Sequence, residues 1–221
     1  MGSFNSRIKY DQVFKEIAED FFSEFLSNRV FFRQVGVENS LKDVHRHIRY
    51  KRDKTTEFIR YTPDGFACWH ESQNKPSYLI EFKSAMTGFK YNNARPLEQM
   101  RKKVPDLDKA EIVNIELGSF GNLVSLRKQG IMAVIWIYVR FHRENKWLAI
   151  VPDESLNLLS YGRQNMRQTQ GSGTPIANVF VRIDNKKVFE LSEWIQRSFG
   201  CDKQKVGEFL QRQEKRFGGV R

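Results

Sequence analysis

The sequence predicts an α/β fold with a mixed central β-sheet flanked by helices. Three observations predict it: a long segment near the N-terminus has apolar residues at helical spacing, several short β-branched and aromatic segments follow, and a near-continuous apolar run lies mid-chain. Such a run, bounded by glycine and charge, is typical of a strand buried on both faces of a sheet. Together these segments favour helices packed on a sheet.

Residues 8–26 are predicted to form the first helix. Six residues fall on one apolar face at helical spacing: Tyr10, Phe14, Ile17, Ala18, Phe21 and Phe25. We therefore expect this face to pack against the core. Glu24 lies at the edge of the apolar face, with Asp20 further round the helix.

Strands and a second helix are expected through the middle of the chain. The segments with strand-like composition are residues 56–62, 65–69 and 78–83. Residues 93–103 are predicted to be helical, and residues 130–141 form the apolar run that we expect to be the central strand. Residues 147–151 are expected to be its neighbour, joined to it by a short turn.

The C-terminal part is predicted to add three features to this core. Residues 161–175 have the composition of a long polar loop. Residues 178–191 are predicted to form a hairpin that turns at Asp184-Asn185, and Ser192 is expected to begin a closing helix.

The length and composition favour one globular domain. The chain has 221 residues, of which 40% are hydrophobic, and it contains 18 Phe and 4 Trp. That apolar content is enough for a core and argues against disorder. We expect a single domain over residues 1–221, with its core at about 8–151 and the C-terminal additions at about 152–221.

The charge of the chain favours a polyanionic partner. Lys and Arg number 37 against 26 Asp and Glu, which gives a formal net charge of +11. Cations placed near phosphates release condensed counterions, so nucleic acid is the first expectation. A solvated basic surface without such a role is the alternative, and an anionic membrane surface is the weaker one.

Cysteine usage and hydropathy exclude several classes of protein. Cys68 and Cys201 have neither the spacing of a zinc motif nor that of a disulfide framework, which fits a reducing interior. The N-terminal residues lack the apolar core of a signal peptide, and the longest apolar run, 131–139, is too short to span a bilayer. We expect a cytoplasmic protein that is not embedded in a membrane.

Two short stretches carry the chemistry that the sequence predicts. Pro63-Asp64-Gly65 precedes a strand, and Glu81-Phe82-Lys83 ends the next one, with sixteen residues between Asp64 and Glu81. Glu81 and Lys83 stand at positions i and i+2, so both side chains should emerge on one face of the strand. Asp64, at the start of the preceding strand, should reach that same face.

This arrangement is typical of a magnesium site that hydrolyses phosphodiesters. Such hydrolysis needs a hard cation that neutralises the scissile phosphate and activates water. Two carboxylates from neighbouring strands and a backbone carbonyl are enough to hold Mg²⁺, which keeps several waters. Lys83 would orient or deprotonate the attacking water and stabilise charge on the phosphate.

The letters of this pattern recur in the chain, so context must separate the occurrences. Pro-Asp pairs occur at 63–64, 105–106 and 152–153, and acidic-x-Lys triplets begin at Glu81, Glu144 and Asp184. The latter two triplets lie at predicted turns, where a charge needs no special reason. Charges at the end of a buried strand are costly unless they are paired or bind metal. The alternative is a Glu-Lys pair that only solvates an edge strand.

Pro63-Asp64 followed by Glu81-Phe82-Lys83 resembles the motif of the PD-(D/E)xK nuclease superfamily, which includes restriction endonucleases and Holliday-junction resolvases. The order of elements over 8–151 is similar to the α-β-β-β-α-β core of that restriction-endonuclease-like fold. The resemblance implies Asp64, Glu81 and the Phe82 carbonyl as metal ligands and Lys83 as the catalytic lysine. It also implies Mg²⁺, with Mn²⁺ as a substitute, and a prokaryotic or viral protein acting in the cytoplasm of the cell or host.

Two further residues are candidates on the same resemblance. Many members add an acidic residue from the first helix, and Glu24 is the candidate by helical geometry. Gln99 resembles a glutamine of the following helix in some branches, although Lys103 stands where those branches have tyrosine. The alternatives are a surface charge for Glu24 and a solvated polar residue for Gln99.

Basic segments are expected to flank the site, but no single nucleic-acid contact is assigned. They include Arg95, Arg101, Lys102 and Lys103 beside the second helix, Arg163 and Arg167 in the polar loop, and His45 and His47 in the basic segment 28–53. Each could equally be a solvated charge, and the two histidines lack an obvious third metal ligand.

Three functions therefore compete. The first is a Mg²⁺-dependent nuclease acting on DNA, expected to be an endonuclease, and a homodimer if it cuts both strands. The second is a non-catalytic nucleic-acid-binding protein that keeps the nuclease fold. The third is a basic structural protein whose motif is accidental. The pattern leaves open duplex, branched, single-stranded or RNA substrates.

Overall fold

A computed structural model describes most of the helices and strands of the chain. The residues it describes are 4–35, 55, 61–70, 74–85, 111–140, 144–156, 167–168, 175–176 and 178–218. Within these ranges the helices are α1 (Phe4–Leu26), α2 (Leu117–Lys128), α3 (Leu191–Phe199) and α4 (Lys203–Gly218), and a short 3-10 turn spans Glu154–Leu156.

The strands number ten over the same ranges. They are β1 (Val30–Gln34), β2 (Gly65–Trp69), β3 (Tyr78–Ala85), β4 (Ile112–Glu116), β5 (Ala133–Arg140), β6 (Asn145–Ile150), β7 (Arg167–Gln168), β8 (Pro175–Ile176), β9 (Asn178–Arg182) and β10 (Val188–Glu190).

Six of these strands form a central mixed sheet in the order β1-β2-β3-β5-β6-β10. Strands β3 and β5 pair in parallel, whereas the other neighbours pair antiparallel. Parallel strands need a crossover connection, and α2 lies in the chain between them. The predicted α/β class with a mixed sheet is confirmed.

The two faces of the sheet carry separate cores. Along β5, Val134, Trp136 and Tyr138 face helices α1, α3 and α4, while Ile135, Ile137 and Val139 face α2, β4 and β9. The alternation follows from the two-residue period of a strand. All of these residues are buried, so the prediction of a central strand covered on both faces is confirmed.

Aromatic packing fixes α1 over the sheet. Phe14 of α1 contacts Phe82 of β3 and Trp147 of β6, with ring centroids 5.3 and 5.4 Å apart, respectively. Phe22 stacks on Phe32 of β1 at 4.3 Å. Phe14 belongs to the helix face that the sequence pattern identified, Phe22 extends that face at its edge, and together they hold α1 across β1, β3 and β6.

The predicted C-terminal hairpin is wrong in its pairing. The chain turns between Arg182 and Val188, but β9 pairs with β4 and β10 pairs with β6, so the two strands belong to different sheets. A local turn signal marks the reversal of the chain, whereas the partner of each strand is distant in sequence: β10 extends the central sheet beside β6, and β9 pairs with β4 against one face of that sheet. The closing helix is two helices, α3 and α4, separated at Gly200 with φ of 68°.

Other predictions differ in position or lie elsewhere. Strand β1 falls in a segment that the composition described only as mixed and basic, and its exposure alternates along its length. Tyr61 is in a turn and Thr62 is outside any strand, so the end of the segment predicted at 56–62 is not a strand. Residues 56–60 and the predicted helix 93–103 lie outside the described residues. No helix among the described residues is long and apolar enough to cross a membrane.

Candidate active site

Asp64 lies immediately before β2, beside the neighbouring strand β3. It immediately precedes Gly65, which pairs with Ile80, and the main-chain N–H of Phe82 donates a hydrogen bond of 2.9 Å to Asp64 Oδ2. The main-chain oxygen of Asp64 accepts a second bond, from the N–H of Val35, also at 2.9 Å. The carboxylate is therefore fixed against the strand that carries the predicted motif.

Glu81 and Lys83 emerge on the same face of β3, as their spacing predicts. Their side chains form an ion pair with Lys83 Nζ 2.6 Å from Glu81 Oε1. The Glu81 side chain is only 7% exposed and that of Lys83 is 30% exposed. Phe82, between them, points to the opposite face and packs against α1.

Helix α2 contributes Ser119 to the site. This buried hydroxyl hydrogen-bonds the Glu81 carboxyl group. The second turn of α2 is also tied to the chain before Asp64, because Asn122 Nδ2 donates a 2.7 Å hydrogen bond to the Tyr61 carbonyl. The same helix thus supports both the strand that bears Glu81 and the loop that leads to Asp64.

Helix α1 contributes Asp11 and Lys15, four residues apart and so neighbours on one helix face. Lys15 Nζ lies 3.1 Å from Asp64 Oδ1. Asp11 Oδ1 accepts a hydrogen bond of 3.2 Å from Ser84 Oγ of β3. The site is therefore assembled from α1, the start of β2, β3 and α2.

Burial and crowded charge shift the pKa values of this cluster. Burial raises the pKa of Glu81 to about 7, and the negative charge of Asp64 adds to the shift, although Lys83 opposes it. Burial likewise raises the pKa of Asp11, against the opposing charge of Lys83. Burial alone would lower the pKa of Lys83, but the carboxylates of Glu81, Asp64 and Asp11 outweigh it and raise the pKa.

Crowded carboxyl groups raise the pKa of Lys83, and they add to the rise that burial causes in the pKa of Glu81. Three carboxyl groups, on Asp11, Asp64 and Glu81, share the cluster with two ammonium groups, on Lys15 and Lys83. Lys83 therefore remains charged, and within the described part of the chain the carboxyl groups of the cluster outnumber its ammonium groups by one. An additional proton or an additional cation would complete the balance.

The donor set fits a magnesium ion in its chemistry. Asp64 and Glu81 offer hard carboxylate oxygens, and Mg²⁺ is commonly held by one or two carboxylates with water completing its shell. Across the described ranges, no three His, Cys, Asp or Glu side chains form a metal-binding group by themselves. Phe82 gives its N–H to Asp64, and a ligand role for its carbonyl remains a prediction.

Glu24 does not join the site. It is exposed and faces Arg212 of α4 at 3.8 Å, thirteen residues from Asp11, or about 20 Å along the helix. The acidic residue that α1 brings to the cluster is Asp11. Its sequence signal is the Asp11–Lys15 pair beside the apolar positions Tyr10 and Phe14.

Several predicted residues cannot be placed. Gln99 lies outside the described residues, as do Arg95, Arg101, Lys102, Lys103, Arg163, His45 and His47. Arg167 belongs to the short strand β7, and only its backbone is described.

The other described occurrences of the motif letters form different structures. Lys146 pairs with Glu144 and Glu111, each at 2.7 Å, at the start of β6. Asp184 pairs with Arg182 beside a turn. Asp153 binds Lys187, and that contact, followed by hydrogen bonds from Ser155, lowers its pKa. The carboxylates of these occurrences are all more exposed than that of Glu81; they belong to Glu144, Asp184 and Asp153.

Comparisons with known proteins add a likeness of fold. No family model matches the chain, and no curated protein matches it in sequence. The structure is similar to that of Hjc, a Holliday junction resolvase from the archaeal hyperthermophile Archaeoglobus fulgidus, with a TM-score of 0.31 and 12% identity over 81% of this chain and 93% of that one. A likeness this distant supports no functional conclusion, so the function must be argued from the site itself.

Proposed function

We propose that the protein is a Mg²⁺-dependent nuclease that hydrolyses phosphodiester bonds of DNA, acting as an endonuclease. The observation that carries the proposal is the ion pair between the buried Glu81 and the partly exposed Lys83, beside the carboxylate of Asp64. Among the described residues the cluster holds three carboxyl groups against two lysines, and a carboxyl group buried without a full complement of cations is costly. Shifted pKa values in such a cluster are typical of a functional site. Mn²⁺ is the expected substitute for Mg²⁺.

Each residue has a distinct role in this proposal. Asp64 and Glu81 would hold the metal with the Phe82 carbonyl, and the metal, when bound, supplies charge neutralisation at the phosphate and activation of water. The Phe82 N–H keeps Asp64 oriented, and Ser119 keeps Glu81 oriented. Asp11 places a further carboxylate beside them.

Lys83 is best suited to act as a charged donor. The surrounding carboxylates raise its pKa, so its ammonium group stays protonated. A protonated lysine can orient water and stabilise negative charge on the phosphate, but it cannot accept a proton. This favours the orienting role over that of a general base.

The charge of the chain supports DNA as the partner. The net charge of +11 would release counterions from a phosphate backbone. Cleavage of both strands of a duplex needs two active sites, so we propose a homodimer for that reaction. DNA is accessible in the cytoplasm of a prokaryotic cell or of the host of a virus, which is the proposed location.

One observation favours a second candidate, a non-catalytic nucleic-acid-binding protein. Both predicted ligands already have a lysine partner: Lys15 for Asp64 and Lys83 for Glu81. A site satisfied internally could serve as a structural element of the fold while basic segments bind nucleic acid.

A cleavage assay separates the two candidates. Wild type, Asp64→Asn and Asp153→Asn are incubated with supercoiled, linear, single-stranded and branched DNA, with and without Mg²⁺ or Mn²⁺. Asp153 is the matched control because it also follows a proline but pairs with Lys187 near the surface. We expect metal-dependent cutting by wild type and by Asp153→Asn, with a loss of about 10²–10⁴-fold in Asp64→Asn.

The nuclease proposal fails if wild type cuts none of these substrates, or if Asp64→Asn cuts as well as wild type. DNA binding without cutting, measured by gel shift on the same substrates, would favour the second candidate.

A further inference from the structure

Lys15 is an unusual residue in α1. Its side chain is 11% exposed, and its ammonium group lies 3.1 Å from Asp64 Oδ1. Burying an ammonium is costly unless a partner compensates it. Elsewhere on α1 the polarity is reversed and the pairs are more exposed, since Glu16 and Asp20 accept Arg216 of α4, each at 2.7 Å.

The two oxygens of Asp64 have different partners. Oδ2 accepts the N–H of Phe82, which is part of the β3 backbone and cannot move away without disturbing the strand. Oδ1 faces Lys15, a flexible side chain carrying a full positive charge. A cation that binds at Oδ1 must therefore either displace Lys15 or accept its repulsion.

The net charge of the cluster also indicates that Lys15 opposes the binding of a cation. Among the described residues, and with all three carboxyl groups ionised, Asp11, Asp64 and Glu81 carry one negative charge more than the two lysines balance. A divalent cation would reverse that sign, and the single negative charge of a phosphodiester would restore neutrality. Without Lys15, the carboxylates and Lys83 would be neutralised by the divalent cation alone.

We infer that Lys15 occupies the Asp64 carboxylate in the metal-free protein and competes there with the divalent metal. Lys15 thereby raises the metal concentration needed to fill the site when no DNA is bound. The inference rests on the proposed function, because it takes Asp64 as a metal ligand. Lys15 is a positioning residue: it holds the Asp64 carboxylate in place before loading, and it favours loading when a phosphate is also present.

The test measures metal binding in the absence of DNA. Mn²⁺ binding to the full-length protein is titrated by electron paramagnetic resonance of the free ion for wild type, Lys15→Gln, Lys15→Met and Lys15→Arg. Lys128→Gln is the matched control, since it removes the same charge from an exposed ion pair with Glu154. Circular dichroism with thermal unfolding establishes that each variant is folded at the titration temperature, and Lys15→Met covers the case in which Lys15→Gln is not.

We expect Lys15→Gln and Lys15→Met to bind Mn²⁺ on the order of tenfold more tightly than wild type, because a nearby positive charge has been removed. Lys15→Arg and Lys128→Gln should keep the wild-type affinity. A residue that served only to stabilise the fold would not tighten metal binding when it is removed.

Unchanged or weaker Mn²⁺ binding by the folded Lys15→Gln or Lys15→Met variant overturns the inference, while metal binding by wild type leaves the proposed metal site standing. If wild type and both neutral variants bind no Mn²⁺, the metal site and the inference fall together. If Lys15→Gln and Lys15→Met bind Mn²⁺ and wild type does not, Lys15 prevents metal binding in the absence of DNA, which supports the inference.

Discussion

Glu81-Phe82-Lys83 and Glu144-Asn145-Lys146 share a sequence pattern and a local geometry but not an environment. The first triplet lies within β3 and the second begins just before β6, and both form ion pairs, at 2.6 and 2.7 Å. The Glu81 side chain is 7% exposed, whereas that of Glu144 is 60% exposed. The pattern therefore determines the pairing of the side chains, and burial determines what that pairing can do.

The neighbours of the two pairs explain the difference in burial. Strand β3 has β2 and β5 on either side, α1 across one face and α2 near the other, and it receives the charges of Asp64 and Asp11. Lys146, at the start of β6, has a second carboxylate partner in Glu111, and both of its partners are far more exposed than Glu81. Water screens the exposed pair, whereas charges in the buried pair act on one another strongly.

The largest contrast is expected in catalysis. Lys83→Met should lower the DNA cleavage rate by about 10²–10⁴-fold, because the charged donor beside the phosphate is lost. Lys146→Met should retain the wild-type rate, since its pair lies away from Asp64. Both rates are measured on whichever DNA form wild type cuts, at saturating metal. Equal losses in the two variants would mean that the comparison does not distinguish a catalytic pair from a surface pair.

The next contrast concerns stability as a function of pH. The pKa of Glu81 is raised from 4.5 to about 7 by burial, so the folded protein keeps a proton that the unfolded chain releases earlier. The contribution of Glu81 to the free energy of unfolding should therefore be most favourable below about pH 4.5. It should become less favourable as pH rises towards 7, by at most about 3 kcal/mol.

Urea unfolding of metal-free protein between pH 4 and 8 measures this contribution. The free energy of unfolding of Glu81→Gln should lack the fall with rising pH that Glu81 causes in wild type. Glu144→Gln should show the same pH profile as wild type. A wild-type profile that Glu81→Gln does not alter would show that Glu81 ionises in the folded state as readily as in the unfolded chain.

The smallest contrast is the coupling between the members of each pair. A double-mutant cycle with Glu81→Gln and Lys83→Met should give about 1–3 kcal/mol, because the carboxylate is buried and the lysine is partly exposed. The same cycle at Glu144 and Lys146 should give less than about 1 kcal/mol. Coupling energies from chemical unfolding at pH 8 decide the matter, and equal values would contradict the role assigned to burial.

Local patterns predicted the elements whose apolar residues follow one period. Helix α1 and strands β2, β3, β5 and β6 were predicted because their burial repeats along a short stretch of chain. Helix α2 was not, since Gly118 and Gly121 lower its helical propensity, and its apolar residues do not mark its buried face: Ser119 is buried and Leu117 is exposed. The partners of β9 and β10 depend on distant strands, so a local turn signal could not reveal them.

The candidate site shows the same limit. Glu81 and Lys83 follow from a spacing of two residues in one strand, and Asp64 from a strand start beside it. Asp11 and Ser119 reach the site only through tertiary packing, and the bond between Asp11 and Ser84 joins residues 73 apart in sequence. The prediction for α1 selected Glu24 because helical geometry gives the face of a residue but not which end of the helix meets β3.

The parallel pairing of β3 with β5 has a bearing on how the chain acquires its activity during synthesis. Glu81 pairs in register with Ile135, and its hydroxyl partner Ser119 also lies later in the chain. Pairing between strands so far apart carries a loop-closure cost and forms late in folding. A growing chain that already contains Asp64, Glu81 and Lys83 thus has all three residues in water. On the proposed function, the protein cannot cut DNA until α2 and β5 are made and docked.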